Sequence, residues 1–173
     1  MKGYTFWFTG LSSSGKTTIA TKVKERLNDQ NIPVILLDGD VVRKHISSDL
    51  GYTKSERDQH IKRVADICEL ITNNGAINIA CVISPTKEIR EYARKRIKNF
   101  SEIYVKCSLE TCKKRDVKGY YKRYEQGFLN NFVGLNIPYE EPKDPELTLD
   151  TEKNSIEYCV EQLLLHIKEE SDI

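Results

Sequence analysis

Strand-like and helix-like segments alternate along these 173 residues, and a Gly-rich turn joins the first strand to the first helix. No change of composition divides the chain. Together these features predict an α/β fold: a three-layer sandwich in which a five-stranded parallel sheet carries helices on both faces, as one domain over 1–173. The first strand is predicted at Tyr4–Thr9, an apolar run with three aromatic-ring neighbours at Phe6, Trp7 and Phe8. A helix follows the turn, because Ile19, Ala20, Val23 and Leu27 recur on one helical face. Further strands are predicted at Val34–Leu37, Ala76–Ile83, Glu102–Cys107 and Leu147–Asp150. Thr53-Lys54-Ser55-Glu56 has the form of a capping box, and Ile61, Val64, Cys68 and Ile71 then repeat at helical spacing until Asn74-Gly75 stops the helix. The last helix carries Ile156, Cys159, Val160, Leu163, Leu164 and Ile167 as a core-facing stripe. Gly119–Pro145 breaks the alternation, and so long a stretch without periodicity predicts a lid over a ligand site, spanning about 117–145.

Composition removes several functions. With 27 basic and 26 acidic residues the formal charge is +1, which does not supply the broad basic surface that nucleic acid requires. Apolar stretches are too short to span a bilayer, and Lys2 is not followed by a signal-peptide core, so a soluble, cytoplasmic protein with no membrane partner is expected. Five cysteines, Cys68, Cys81, Cys107, Cys112 and Cys159, are odd in number and lack the spacing of a metal knuckle. They are expected to be buried free thiols acting as small hydrophobes.

The turn itself carries the chemistry. Gly10-Leu11-Ser12-Ser13-Ser14-Gly15-Lys16-Thr17 is a complete G-x-x-x-x-G-K-[ST] phosphate loop, continued by Thr18. Backbone amides of such a loop point inward at phosphate oxygens, and the helix behind it adds free N–H groups and the positive end of its dipole. Lys16 is expected at the β- and γ-phosphates of ATP, and the Thr17 hydroxyl at Mg²⁺. The next strand ends in Leu37-Asp38-Gly39-Asp40, at the sheet edge where ligands bind. Two carboxylates there can hold metal-bound water and accept a proton from an attacking hydroxyl. Arg43 and Arg57 offer cations to a phosphate-bearing acceptor. Arg57 lies in the first turn of a helix, where a positive charge opposes the dipole, so an anionic ligand is expected to compensate it. Lys62 and Arg63 read as solvated surface. Ser84, at the end of the third strand, can either contact an acceptor or cap the next helix.

Read together, these residues identify a resemblance. Gly10 to Thr18, Leu37-Asp38-Gly39-Asp40 with Arg43, Asp49-Leu50-Gly51-Tyr52, Arg57 to Arg63, Ile83-Ser84-Pro85, Arg115-Asp116-Val117-Lys118-Gly119 with Tyr121-Lys122, and Pro138-Tyr139-Glu140 occur in the order and spacing of the adenylylsulfate kinases. The resemblance runs from about Tyr4 to Thr151. It implies a P-loop NTPase-type fold and transfer of the ATP γ-phosphate to the ribose 3′-hydroxyl of adenosine 5′-phosphosulfate with Mg²⁺, usually by a homodimer. It also implies that Asp38 and Asp40 take the acid–base and metal-side roles, that Arg43, Arg57, Ile83, Ser84, Lys122 and Phe132 line the acceptor site, and that Arg115 lies against the ATP base. Ser84 matches a serine sometimes assigned as a phosphorylated intermediate, a step that direct transfer does not need.

Departures from the family pattern cluster on the acceptor side. His60 stands where an Asn is usual, Val82 and Tyr52 replace Phe, and an acidic stretch has become Gly134-Leu135-Asn136-Ile137-Pro138-Tyr139-Glu140. His60 in place of Asn and the carboxylate lost from the 134–140 stretch change the donor–acceptor pattern and predict a changed base, with Leu135 also expected at the acceptor site and Tyr52 and Phe132 stacking either a purine or a pyrimidine. On resemblance the expected acceptor is therefore cytidine 5′-diphosphoramidate, a small nucleotide conjugate used in capsule O-methyl phosphoramidate synthesis. Adenylylsulfate itself is the alternative. A GTP switch would need a guanine-reading Asn-Lys-x-Asp element, for which Thr86-Lys87-Glu88 is a poor substitute. A non-catalytic nucleotide-binding module would leave Lys16, Thr17, Asp38 and Asp40 together without a purpose.

Overall fold

A computed structural model describes residues 2–173. Five parallel strands, β1 (Tyr4–Thr9), β2 (Val34–Asp38), β3 (Ile77–Cys81), β4 (Phe100–Lys106) and β5 (Leu147–Asp150), form one sheet in the order β2-β3-β1-β4-β5. The register sets Phe6 beside Ile79 and Ser101, and Asp38 beside Cys81. Successive side chains of a strand leave opposite faces of the sheet, and β1 shows what that does. Tyr4, Phe6 and Phe8 pack with α1 (Lys16–Asp29) and α7 (Ile156–Ser171), through Ile19, Val23, Leu27, Val160, Leu163 and Ile167. Trp7 enters the opposite layer with Val42, Ile61, Val64, Cys68, Ile89 and Ala93. That layer is built from α2 (Gly39–Ile46), α3 (Lys54–Asn73) and α4 (Lys87–Arg96). The three-layer architecture and the five strands follow the periodicity, with shifts of up to two residues at several ends.

One shift has a physical reason. The third strand was expected to continue to Ile83, but it ends at Cys81, because Ser84 takes a left-handed φ of 39° and Pro85 has no N–H to donate. The capping box at Thr53 and Glu56 forms as expected. All five cysteines are free and buried.

The aperiodic segment is more ordered than its sequence indicates. After α5 (Leu109–Arg115) it contains α6 (Tyr120–Glu125) and a small apolar cluster of its own, in which Tyr121 and Phe132 pack with Cys107 and Cys112. Val117, Lys118, Tyr120, Arg123 and residues 128–133 face the ligand cleft. Beyond them the chain is fastened down: Tyr139 Oη lies 2.8 Å from Thr9 Oγ1, and the Glu140 N–H donates to the Pro85 carbonyl at 2.8 Å. Among the described residues no helix is long and apolar enough to cross a membrane.

Candidate active site

The carboxyl ends of β1, β2 and β3 open into a cleft of about 1030 Å³. Its floor is the phosphate loop. Gly10 has φ 150° and Gly15 φ 107°, and a Cβ on Gly10 would lie 2.5 Å from the Val105 carbonyl oxygen, so only glycine fits that turn. Ser12, Ser13, Gly15, Lys16, Thr17 and Thr18 line the cleft, whereas Gly10 and the fully buried Ser14 build the loop from behind. Lys16 Nζ donates to the carbonyls of Gly10 at 2.8 Å and Leu11 at 2.7 Å. Burial pushes its pKa down to about 8, with the charge of Asp40 among the opposing influences.

Asp38 is both the last residue of β2 and the N-cap of α2. Its Oδ1 accepts the N–H groups of Asp40 at 2.9 Å and Val41 at 3.3 Å, and its Oδ2 accepts the Thr17 hydroxyl at 2.8 Å. Strand end and loop helix thus meet at one pair of hard oxygen donors. Such a pair fits Mg²⁺, which binds through one or two protein oxygens together with phosphate oxygens and water. Asp40, one turn into the cleft, is half exposed and ion-paired through Oδ2 to Lys118. Burial depresses the Lys118 pKa, but its hydrogen bond and attraction to Asp40 outweigh that and raise it.

The far wall holds the cations. Arg43 and Arg57 bracket Tyr52, their guanidinium carbons 4.7 Å and 5.4 Å from its ring centre. Arg43 Nη1 donates to the Gly51 carbonyl at 2.8 Å, and Arg57 donates to the Tyr52 carbonyl at 2.9 Å and to the Asn131 carbonyl. These neutral carbonyls orient Arg57 but do not neutralise it, and no acidic side chain pairs with it among the described residues. Burial and the neighbouring Arg43 both lower its pKa. His60 lines the cleft, yet its Nδ1 is engaged by Ser47 Oγ at 3.0 Å, which ties α3 to the end of α2. Burial first, then the Arg43 charge, pushes its pKa down to about 4, so the ring is neutral.

Ser84 is fully buried and does not cap α4; Thr86 does, accepting the Ile89 N–H at 3.4 Å. Ser84 Oγ instead accepts the Trp7 indole N–H at 3.2 Å. Ile83, Phe132 and Arg115 also reach the cleft, Arg115 held by Thr151 Oγ1 at 3.0 Å and the Thr151 carbonyl at 2.7 Å. Phe132 is edge-on to Tyr121 at 4.8 Å between ring centres.

Two expected acceptor residues lie elsewhere. Lys122 is on the outward side of α6, because the adjacent Tyr121 turns inward and donates to the Ser12 carbonyl at 3.1 Å. Leu135 lines a separate cavity of about 230 Å³ with Leu11, Tyr104 and Tyr139. In their place the structure adds Lys118, Arg123, Asn131 and, at the end of β5, Thr151 and Asn154. Lys118 lay inside the quoted Arg115–Gly119 motif. The β5 residues carried a usable signal too, since they follow a parallel strand at its carboxyl end.

This fold and floor define a P-loop kinase. The family model described as adenylylsulphate kinase matches residues 2–150. A protein of Halothermothrix orenii named adenylyl-sulfate kinase is 42% identical over 99% of this chain and 93% of its own. Among solved structures, the Mycobacterium tuberculosis APS kinase in complex with AMPPNP and APS is 34% identical, with a TM-score of 0.89 over 95% of this chain and 98% of that one. A hexameric APS kinase from Thiobacillus denitrificans, also 34% identical, has a TM-score of 0.73 over 98% of this chain and 29% of that one. The chain belongs to the adenylylsulfate kinase family, ATP-dependent phosphotransferases that act on a hydroxyl group. The expected cytidine diphosphoramidate acceptor, and with it the capsule role, is overturned: relatives matching nearly the whole chain are adenylyl-sulfate kinases.

Proposed function

We propose that this protein is an adenylylsulfate kinase, one functional domain over 1–173, which transfers the γ-phosphoryl group of ATP to the ribose 3′-hydroxyl of adenylylsulfate. The observation that carries this reading is a single cleft with Lys16 and the Thr17–Asp38 pair at one end and Arg43 and Arg57 at the other. The 3′-oxygen forms a bond to the γ-phosphorus, the β–γ bridging P–O bond breaks, and ADP leaves with that electron pair. Thr17 and Asp38 would hold Mg²⁺, which when bound neutralises charge on the phosphates. Three donors already occupy the oxygens of Asp38, so Asp40, which offers Oδ1, is the better acceptor for the hydroxyl proton. Lys118, paired with Asp40 through Oδ2, holds that side chain in place. Ser84, buried and bonded to Trp7, serves as wall rather than as phosphorylated intermediate. Arg115 and Thr151 form the shelf for the ATP base, and Arg43 and Arg57 face the sulfated end of the acceptor.

The test is coupled ADP release with adenylylsulfate, read beside cytidine 5′-diphosphoramidate as the control. A specificity constant for adenylylsulfate at least about a hundredfold higher supports the assignment, the ratio a site with unpaired polar groups imposes on a wrong base. Comparable turnover of both acceptors, or of neither, refutes it. The homodimer is part of the same proposal and rests on the family resemblance; light scattering in solution decides it.

A further inference from the structure

From Ile83 to Pro85 three consecutive backbone carbonyls each receive a donor from a different part of the fold. The Ile83 carbonyl accepts the Thr9 hydroxyl at 2.7 Å, the Ser84 carbonyl accepts Arg90 Nη1 at 3.0 Å, and the Pro85 carbonyl accepts the Glu140 N–H at 2.8 Å. Between them Ser84 is held at φ 39°, a left-handed conformation that a residue with a Cβ keeps only when its surroundings enforce it. Arg90 is the unusual donor. It is 4% exposed, and Arg90 Nε lies 2.7 Å from Glu102 Oε1, itself on a buried strand residue. Glu102 Oε2 lies 3.3 Å from Arg94, which also pairs with Glu146. Two cations and two anions therefore form a neutral network that lets a guanidinium sit in the interior. The Arg90 guanidinium carbon is also 5.9 Å from the Tyr139 ring centre, and Tyr139 Oη lies 2.8 Å from the Thr9 hydroxyl that holds Ile83. The contacts close a ring: Thr9, Ile83, Ser84, Arg90, Tyr139 and back to Thr9.

We propose that Arg90 is a positioning residue for the acceptor: without touching the cleft, it fixes the Ile83–Pro85 wall against which the acceptor nucleotide binds. This rests on the adenylylsulfate kinase reading. Arginine suits the task because one planar fork serves the Glu102 carboxylate and the Ser84 carbonyl at once, which a lysine ammonium on a flexible stem does not reproduce. The Arg90 guanidinium itself contacts Ser84, Glu102 and Tyr139 and reaches the phosphate loop only indirectly, through Tyr139 and Thr9.

The experiment compares wild type, Arg90→Lys and Tyr139→Phe in steady-state assays, varying adenylylsulfate and ATP separately, with melting temperature recorded for each. Arg90→Lys should raise the KM for adenylylsulfate by about tenfold and leave the KM for ATP within about twofold, as expected for one lost charged hydrogen bond on the acceptor side. Tyr139→Phe, which keeps the ring and removes only the hydroxyl, should raise the acceptor KM by about threefold. An unchanged acceptor KM in Arg90→Lys overturns the inference, as does an equal rise in both KM values. If Arg90→Lys does not fold, an unchanged acceptor KM in Tyr139→Phe overturns it. Wild-type enzyme that does not phosphorylate adenylylsulfate overturns the functional reading instead, and this inference with it.

Discussion

Lys16, Asp38 and Asp40 illustrate how differently three residues can be tied to one reaction. In the proposed reaction Lys16 is the cation opposite the γ-phosphate, and replacing it by Ala should lower turnover by about a thousandfold or more, because charge developing on the transferred group loses its main partner. Asp40→Asn should reduce kcat about a hundredfold with the KM for ATP nearly constant, since it removes a proton acceptor and leaves the donor site alone. A kcat unchanged in that variant would assign the proton elsewhere. His60 makes a prediction about stability. Its folded pKa of about 4 lies below the ordinary 6.5, so between those values the unfolded chain binds a proton that the native ring does not. Stability should therefore be intact above pH 6.5 and fall by roughly 3 kcal/mol as pH drops toward 4, a decline that His60→Asn should flatten in urea titrations. At this scale the motif residues were legible because the phosphate loop needs those residue types in that order. Lys118 was not singled out, because its pairing with Asp40 joins positions 78 residues apart.

Helix boundaries decide which side chains reach the cleft. The capping box starts α3 at Lys54 and so puts Arg57 and His60 on the first turns facing Tyr52 and Ser47, a placement that the local sequence already encodes. In α6 the family resemblance implied that Lys122 lines the acceptor site, and the helix turns it outward because Tyr121 takes the inward position beside Ser12. Rotation of a short helix is set by which aromatic residue finds a partner, and that partner lies 109 residues away. Gly134 joins the same segment to the phosphate loop: its φ is 94°, and a Cβ there would lie 2.8 Å from Leu11 Cδ2. Gly134→Ala should destabilise the fold by about 1–2 kcal/mol through the backbone conformation alone. Because Leu11 sits in the loop, the KM for ATP should rise as well. Thermal denaturation and ATP saturation curves measure the two effects on one preparation.

Across the whole molecule, donor binding should be visible as stability. A ligand that binds only the native state at a hundred times its dissociation constant adds about 2.7 kcal/mol, so MgATP should raise the melting temperature of the wild type and leave Lys16→Ala almost unmoved. An equal shift in both would mean that the phosphate loop is not the binding site. The chain by itself determined the five strands and the phosphate loop, because each depends on short-range spacing, and the class of reaction through motifs that resemble those of the adenylylsulfate kinases. It also pointed to an altered acceptor, and there local reasoning failed: His60 and the carboxylate lost from the 134–140 stretch read as a new base-binding pattern. Folding places His60 on Ser47 and turns Leu135 and Ile137 of that stretch into a separate cavity, so these changes need not alter what the cleft recognises. Only the tertiary structure decided which cations face the site, which carbonyls hold Ser84, and how Arg90 is neutralised in the interior. Those outcomes arise from contacts between residues far apart in the chain, whose energies exist only once the sheet and its helices have closed around them.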